Sequence, residues 1–185
     1  MRYLLLNLKF WFLGNIKKYF PSFSNHIRST TSVISINHKN QTVEKETIKY
    51  LDYNIVDNEA SWLTQLNDFS HTPNVISHNG NKLILSYAGE PLNSNNLPEN
   101  WKTQIKTILD ELKDVNCSHN DIKPTDLLVL NEKIMLIDFQ WATKINEPIP
   151  SEWPDYIGGI YKNKKNFDDS YSIYKSIESI TDFKK

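Results

Sequence analysis

Acidic side chains in the stretch from residue 118 to 142, SHNDIKPTDLLVLNEKIMLIDFQWA, are the best candidates for chemistry in this sequence. Asp121, Lys123 and Asp126 lie close together, and Asp138 follows two short apolar runs that flank the turn NEK. Such runs predict a β-hairpin, which would bring the loop with Asp121 and Asp126 next to the strand end with Asp138. Carboxylates accept protons, and their oxygen atoms are ligands that Mg²⁺ prefers. The spacing therefore predicts that these carboxylates lie close together in the fold.

Several elements must position this stretch. SVISI and QTVEKETI flank HKN, and NVISH and KLILSYAG flank an Asn-Gly turn, so both pairs predict hairpins. NEASWLTQLNDF predicts a helix with Asp57 or Asn58 as its cap, and SYSIYKSIESI predicts a closing helix after Asp168 and Asp169. Another helix is predicted after Pro98, because apolar residues recur there at three- and four-residue steps: Trp101, Ile105, Ile108, Leu112 and Val115. The order of elements indicates an α+β fold with segregated layers.

Composition restricts the function classes. The chain has 185 residues, 39% of them hydrophobic, which is enough for one domain or two small lobes around a packed core. A net charge of -1 argues against nucleic-acid binding, and a solvated loop explains the basic patch at Lys162, Lys164 and Lys165. The single cysteine, Cys117, excludes an internal disulfide or a zinc cluster within this chain and suits a reducing, cytoplasmic compartment.

The N-terminal segment has two interpretations. Residues 1–20 are apolar and basic, but Asn7 and Lys9 interrupt the run, so neither a secretory signal nor a membrane-spanning helix is predicted. The segment could form a helix packed on the body of the protein, or a peripheral membrane contact with aromatic residues at the interface. Residues 22–31 are polar and are interpreted as a linker.

The stretch from His119 to Asp126 resembles the catalytic loop of protein kinases, H-R-D-x-K-P-x-N, and Ile137 to Gln140 resembles the D-F-G that follows it. The resemblance covers roughly residues 32–180 and implies a reduced protein-kinase-like fold. It implies a small β-rich N-lobe with one helix (32–87) and a mostly helical C-lobe (88–185), truncated after the helix that follows the activation segment. Residues 1–31 would precede this domain.

The resemblance also implies roles for individual residues. Asp121 would be the base that accepts the proton of the attacking hydroxyl, and Lys123 would steady the transferred phosphoryl group. Asp138 would be the main Mg²⁺ ligand, with Asp126 in place of the usual Asn ligand. Asp169, with Asp168 as the alternative, resembles the helix Asp that braces the catalytic loop from below.

Upstream residues extend the same resemblance to nucleotide binding. Lys45 would hold the α- and β-phosphates of ATP, with Lys49 as the competing position, and Glu59 would be its helix partner. The alternatives are a solvent-facing strand lysine and a glutamate that compensates the helix dipole. The backbone near Tyr87 and Ala88 would meet the adenine.

Four positions depart from the kinase pattern. The turn at His38 lacks the glycine-rich loop, which lets backbone amides approach phosphates closely. Asn120 replaces the Arg that reads a phosphorylated activation loop, so that switch is not expected. Asp126 replaces Asn, and Gln140 replaces Gly.

The resemblance implies an ATP- and Mg²⁺-dependent kinase that acts on a hydroxyl of a protein Ser or Thr or of a sugar. The four departures leave a pseudokinase, a binding module without turnover, as the alternative.

Overall fold

The computed structural model describes residues 26–28, 31–47, 55–149, 153, 157 and 168–182. These residues form two compact units. One comprises the described residues through Asp57 together with Val75–Tyr87, and the other comprises Asn58–Asn74 and the described residues from Ala88 onward. The expectations for residues 1–20, Lys49 and the Lys162–Lys165 patch lie outside the described residues.

The N-terminal unit contains a five-stranded antiparallel sheet in the order β1-β2-β3-β5-β4. Both predicted hairpins are confirmed, β2 with β3 and β4 with β5. The linker interpretation of residues 22–31 is wrong at its centre, because β1 pairs there with the middle of β2. The strands are β1 (His26–Arg28), β2 (Ser32–Asn37), β3 (Thr42–Thr47), β4 (Val75–Asn79) and β5 (Lys82–Ser86).

Helix α1 spans Ile55–Gln65 and carries the predicted apolar face. It begins before both predicted caps, because Ile55 and Val56 are themselves buried. Asp57 therefore lies in the first turn of the helix. The buried side of the helix includes the predicted residues Ala60, Trp62, Leu63 and Leu66.

The C-terminal unit is built on helix α2 (Trp101–Asp114), whose Ile105, Ile108 and Leu112 are buried as predicted. A hairpin of β8 (Leu127–Leu130) and β9 (Lys133–Leu136) packs against it. The buried Gln104 fixes this hairpin, since its amide donates to Glu132 O at 2.9 Å and accepts from the Ile134 amide at 2.8 Å.

Short elements complete this unit. Strand β6 (Glu90–Pro91) pairs with β8, and β7 (Cys117–Ser118) pairs with β10 (Thr143–Lys144). Two 3₁₀ turns lie at Pro124–Asp126 and Phe139–Trp141, and helix α3 spans Asp169–Asp182. The α+β class is confirmed. None of the described helices is both long and apolar enough to cross a membrane.

Two glycines with positive φ give a test of backbone packing. Gly89 has φ +102°, and an added Cβ would lie 2.0 Å from Val129 O, whereas Gly80 has φ +58° and open space. We expect Gly89→Ala to lower the free energy of unfolding by about 3 kcal/mol or more, through strain and a backbone clash. Gly80→Ala should cost about 1 kcal/mol, through strain alone. Urea unfolding measures both, and equal costs would contradict the Gly89 contact.

Candidate active site

The centre of the candidate site is a carboxylate–lysine cluster formed by Asp121, Lys123, Asp126 and Asp138. The Lys123 Nζ lies 2.9 Å from an oxygen of Asp121, 3.0 Å from Asp126 and 3.6 Å from Asp138. Asp121 and Asp126 are buried, and the Asp138 side chain is 21% exposed. The predicted grouping of these four residues is therefore present in the C-terminal unit.

The β8–β9 hairpin brings the two metal-ligand candidates together. The amide of Ile137, at the end of β9, donates to the Asp126 carbonyl at 3.0 Å, which places Asp138 beside Asp126. Asp126 ends the first 3₁₀ turn, and its carboxylate accepts the Lys123 amide at 3.2 Å. Asp138 has φ 73°, a left-handed conformation that Asp tolerates better than most residues.

His119 connects the loop to the residues on both sides of Asp138. Burial lowers the pKa of His119, so the ring is neutral. Its Nε2 lies 3.0 Å from Ile137 O, and its Nδ1 is 3.4 Å from the Asp121 amide. An N–H at Nε2 and an acceptor at Nδ1 satisfy both contacts. The ring also packs edge-on against Phe139 at 4.7 Å between centroids.

Asp169, at the start of α3, holds the loop from its other side. Its carboxylate accepts the amides of His119 at 2.6 Å and Asn120 at 2.9 Å, and the Ser118 hydroxyl at 3.2 Å. The neighbouring Asp168 accepts the Tyr171 amide at 2.8 Å, which is a helix N-cap contact. Of the two alternatives, Asp169 is therefore the one that contacts the loop.

The cluster contains more acidic groups than basic groups. Burial would lower the pKa of Lys123, but Asp126, Asp138 and Asp121 raise it above its usual range. Burial and the nearby Asp138 raise the pKa of Asp126 to about 8, against the opposing effect of Lys123. One ammonium group thus compensates three carboxylates only in part, and the cluster favours additional positive charge.

The donor set fits a magnesium ion that is held partly by phosphate oxygens. Among the described residues, no group of three or more His, Cys, Asp or Glu side chains forms a cage for a metal ion. Magnesium, however, is commonly bound through one or two carboxylates together with substrate phosphates. Asp126 and Asp138 can supply such a pair.

The other four predicted residues are not members of this cluster. In the N-terminal unit, Lys45 is buried on β3, and Tyr87 follows β5 with its amide 2.9 Å from Gln41 O. In the C-terminal unit, Glu59 is buried on α1 and Ala88 is also buried. The burial of Lys45 disfavours the solvent-facing alternative for this lysine. Glu59 is the fifth residue of α1 and so lies beyond the first turn, where compensation of the helix dipole is strongest.

Sequence reasoning missed the roles of three amide side chains. Gln140 Nε2 lies 3.3 Å from an oxygen of Asp138, whereas the sequence indicated only that Gln140 replaces Gly there. Asn58, considered as a helix cap, instead donates to the carbonyls of Gln140 and Ala142. Asn120 donates to Trp141 O at 2.8 Å. Amide side chains have many uses, so residue type alone gave no signal for these contacts.

The two adjacent acidic residues of α3 give a matched test of the loop brace. We expect Asp169→Asn to lower the free energy of unfolding by about 2 kcal/mol, because one acceptor oxygen becomes an NH₂ that faces backbone amides. Asp168→Asn should change it by less than about 0.5 kcal/mol, because Asn caps helices as well as Asp does. Urea unfolding of the two variants measures the difference. A larger loss for Asp168→Asn would reverse the assignment.

Comparisons with known proteins give structural neighbours only. No family model matches the sequence, and no curated protein matches it. The Rio2 kinase from Chaetomium thermophilum, solved as an ADP/Mg²⁺–phosphoaspartate complex, is similar with a TM-score of 0.59 and 15% identity. The match covers 84% of this chain and 55% of Rio2. Monomeric WbdD is similar with a TM-score of 0.50 and 18% identity, over 62% of this chain and 33% of WbdD.

The chain thus spans about half the length of the Rio2 structure and a third of the WbdD structure. The chain has a reduced protein-kinase-like fold.

Proposed function

We propose that this chain is an ATP- and Mg²⁺-dependent phosphotransferase that moves the γ-phosphoryl group to a hydroxyl of a protein Ser or Thr or of a sugar. The observation that carries the proposal is the carboxylate–lysine cluster. A base candidate and two metal-ligand candidates meet around one ammonium group, that of Lys123. Phosphoryl transfer depends mainly on positioning and on electrostatic stabilisation, and this cluster supplies the groups for both.

Asp121 is the proposed base. Its carboxylate is buried and accepts a charged hydrogen bond of 2.9 Å from the Lys123 Nζ, which fixes its position in the cluster. It would orient the acceptor hydroxyl and take its proton. Lys123, which is 35% exposed, would stabilise the negative charge of the transferred group.

Asp126 and Asp138 are the proposed Mg²⁺ ligands. When bound, the ion would neutralise charge on the nucleotide phosphates. The raised pKa of Asp126 supports this assignment, because it marks a place where negative charge is under-compensated. The ADP and Mg²⁺ in the Rio2 kinase structure show that a protein with a similar fold takes these ligands.

Lys45, Glu59, Tyr87 and Ala88 are the proposed nucleotide-binding positions. Lys and Glu are almost never fully buried unless they are paired, yet Lys45 is 6% exposed and Glu59 is 1% exposed. Lys45 is proposed to bind the phosphates and Glu59 to act as the kinase-type helix glutamate. The roles themselves rest on the resemblance to kinases.

A pseudokinase is the second candidate, and it rests on the turn between β2 and β3. This turn is formed by His38–Gln41, contains no glycine, and reaches its positive φ of 53° at Gln41. A phosphate cradle made of backbone amides is therefore less accessible here than in a glycine-rich loop. A thermal shift by ATP with Mg²⁺, but no turnover on any acceptor, would favour this candidate.

Asparagine substitutions separate the base from the metal ligand. We expect Asp138→Asn to abolish the Mg²⁺-dependent part of ATP binding, because a ligand carboxylate is lost. Asp121→Asn should retain Mg²⁺–ATP binding and lower turnover by about 10²- to 10⁴-fold, the usual contribution of a general base. Calorimetry and phosphate release measure the two effects. Asp110→Asn, at an exposed ion pair on α2, is the matched control. Unchanged binding and turnover in Asp138→Asn would refute the metal assignment.

The pH dependence of stability tests the charge balance at Asp126. Without Mg²⁺, the free energy of unfolding should decrease as the pH rises from about 4 to about 8. The reason is that the folded state retains on Asp126 a proton that the unfolded state releases near its ordinary pKa. Asp126→Asn should flatten this decrease, and the control Asp110→Asn should not. Urea unfolding at several pH values, with EDTA present, measures it. An equally steep decrease in Asp126→Asn would contradict the assignment.

A further inference from the structure

The segment Gln140–Thr143, called here the post-Asp138 segment, is held by neutral side chains. It directly follows Phe139, and Gln140 Nε2 lies 3.3 Å from Asp138 Oδ2, so a shift of the segment also moves the proposed metal ligand. Its carbonyl groups accept hydrogen bonds from two directions within the C-terminal unit. One set of donors lies on helix α1, and the other lies in the loop after β7.

Helix α1 binds two carbonyls of the segment. The Asn58 amide donates to Gln140 O at 3.2 Å and to Ala142 O at 2.9 Å. Trp62 Nε1 donates to Ala142 O as well, at 3.0 Å. Asn58 and Trp62 are four residues apart and so lie on one face of the helix. Both hydrogens of the Asn58 amide are therefore used on the post-Asp138 segment.

Asn120 binds the carbonyl between those two. Its Nδ2 donates to Trp141 O at 2.8 Å and to the Thr143 hydroxyl at 3.0 Å, and its Oδ1 accepts from the Ser118 hydroxyl at 2.8 Å. The side chain is buried with these groups satisfied. The pairing of β7 with β10, Ser118 opposite Thr143, brings the two strands into register for this contact.

Three successive carbonyls, those of Gln140, Trp141 and Ala142, are thus bound alternately from the helix and from the loop. The donors are uncharged, so the contacts need neither a phosphate group nor an ion pair. At the position where kinases have an Arg that binds a phosphorylated segment, this chain has Asn120, which binds the backbone carbonyl of Trp141 directly. The segment is consequently fixed without modification.

We propose that Asn58 and Asn120 are positioning residues, which hold the post-Asp138 segment so that Asp138 is ready for Mg²⁺–nucleotide in the unmodified protein. This inference rests on the proposed function. It identifies how the site is kept in its binding arrangement, and it assigns no contact with substrate to either residue.

Two variants remove these contacts with little other change. Asn58→Asp keeps the volume and removes both N–H donors, and an acidic residue in the first turn favours the dipole of α1. Asn120→Gly removes the side chain at φ 68°, a conformation that glycine adopts freely. The control is Asn96→Asp, which loses an exposed amide-to-carbonyl bond of 3.0 Å to Pro91, away from the segment.

The first measurement is hydrogen–deuterium exchange of peptides that cover residues 138–145 in the full chain. Amides here include Ala142, bonded to Phe139 O, and Ile145, bonded to Asn116 O. We expect exchange to be about tenfold faster or more in both variants, as the loss of two hydrogen bonds implies. Asn96→Asp should match the wild type in these peptides.

The second measurement is ADP binding by calorimetry as a function of Mg²⁺ concentration. We expect the Mg²⁺ concentration for half-maximal effect to rise roughly 10- to 100-fold in both variants, the range known for residues that orient metal ligands. The affinity for ADP without Mg²⁺ should stay unchanged. A general loss of structure would lower both affinities together.

The outcomes separate the two proposals. If the wild type binds ADP with Mg²⁺ and both variants behave like Asn96→Asp, the positioning role is wrong while the proposed function stands. If the wild type shows no Mg²⁺-dependent ADP binding, the proposed function fails and the positioning role fails with it. If Asn58→Asp does not fold, Asn120→Gly alone decides between these outcomes.

Discussion

The interaction on which the site depends is the contact of one ammonium group, that of Lys123, with three carboxylates within 3.6 Å. Burying carboxylates without compensation is costly, and Asp121 and Asp126 are both buried here. Lys123 therefore offsets part of the cost of burying these carboxylates in the loop. The same contact explains why the residue types Asp, Lys and Asp occur so close together in the sequence.

The surrounding structure places these charges with backbone contacts and neutral groups. Asp169 accepts two loop amides, His119 bridges to Ile137 O, and Asn120 binds the segment that follows Asp138. Asn120 and Asp138 both have a positive φ, which Asn and Asp tolerate. Each of these two residues thus satisfies a backbone requirement and a side-chain requirement at once, and this restricts what can replace it.

Periodic features of the fold were predictable from the sequence. The α2 face of Ile105, Ile108 and Leu112 and the three hairpins follow from spacing and turn residues, which act locally. Strands β6, β7 and β10 have two residues each, and such strands exist only because a partner is nearby in space. The early start of α1 was missed for a different reason, because Asn54, another residue type that commonly caps helices, directly precedes Ile55 in the sequence.

Part of the candidate site was also predictable from the sequence. The four members of the carboxylate–lysine cluster were identified because the segments that contain them resemble the catalytic loop and the D-F-G of protein kinases. Asn58 and Gln104 were not identified as parts of the structure around it, because each acts by binding backbone groups that are distant in sequence. Amide side chains of this kind give no pattern in one sequence, and their partners are known only once the chain is folded.

The departures from the kinase pattern now divide into two kinds. Asn120 and Gln140 make new contacts, with the Trp141 carbonyl and the Asp138 carboxylate, so neither change leaves a missing interaction. Asp126, when it is ionised, adds a negative charge that Lys123 offsets only in part, and the turn at His38–Gln41 lacks the small residues that admit phosphate. The first pair is compensated within the C-terminal unit, so it does not argue against catalysis. The distinction between a kinase and a pseudokinase therefore depends on Asp126 and on the turn, where a bound cation and nucleotide would have to supply the compensation.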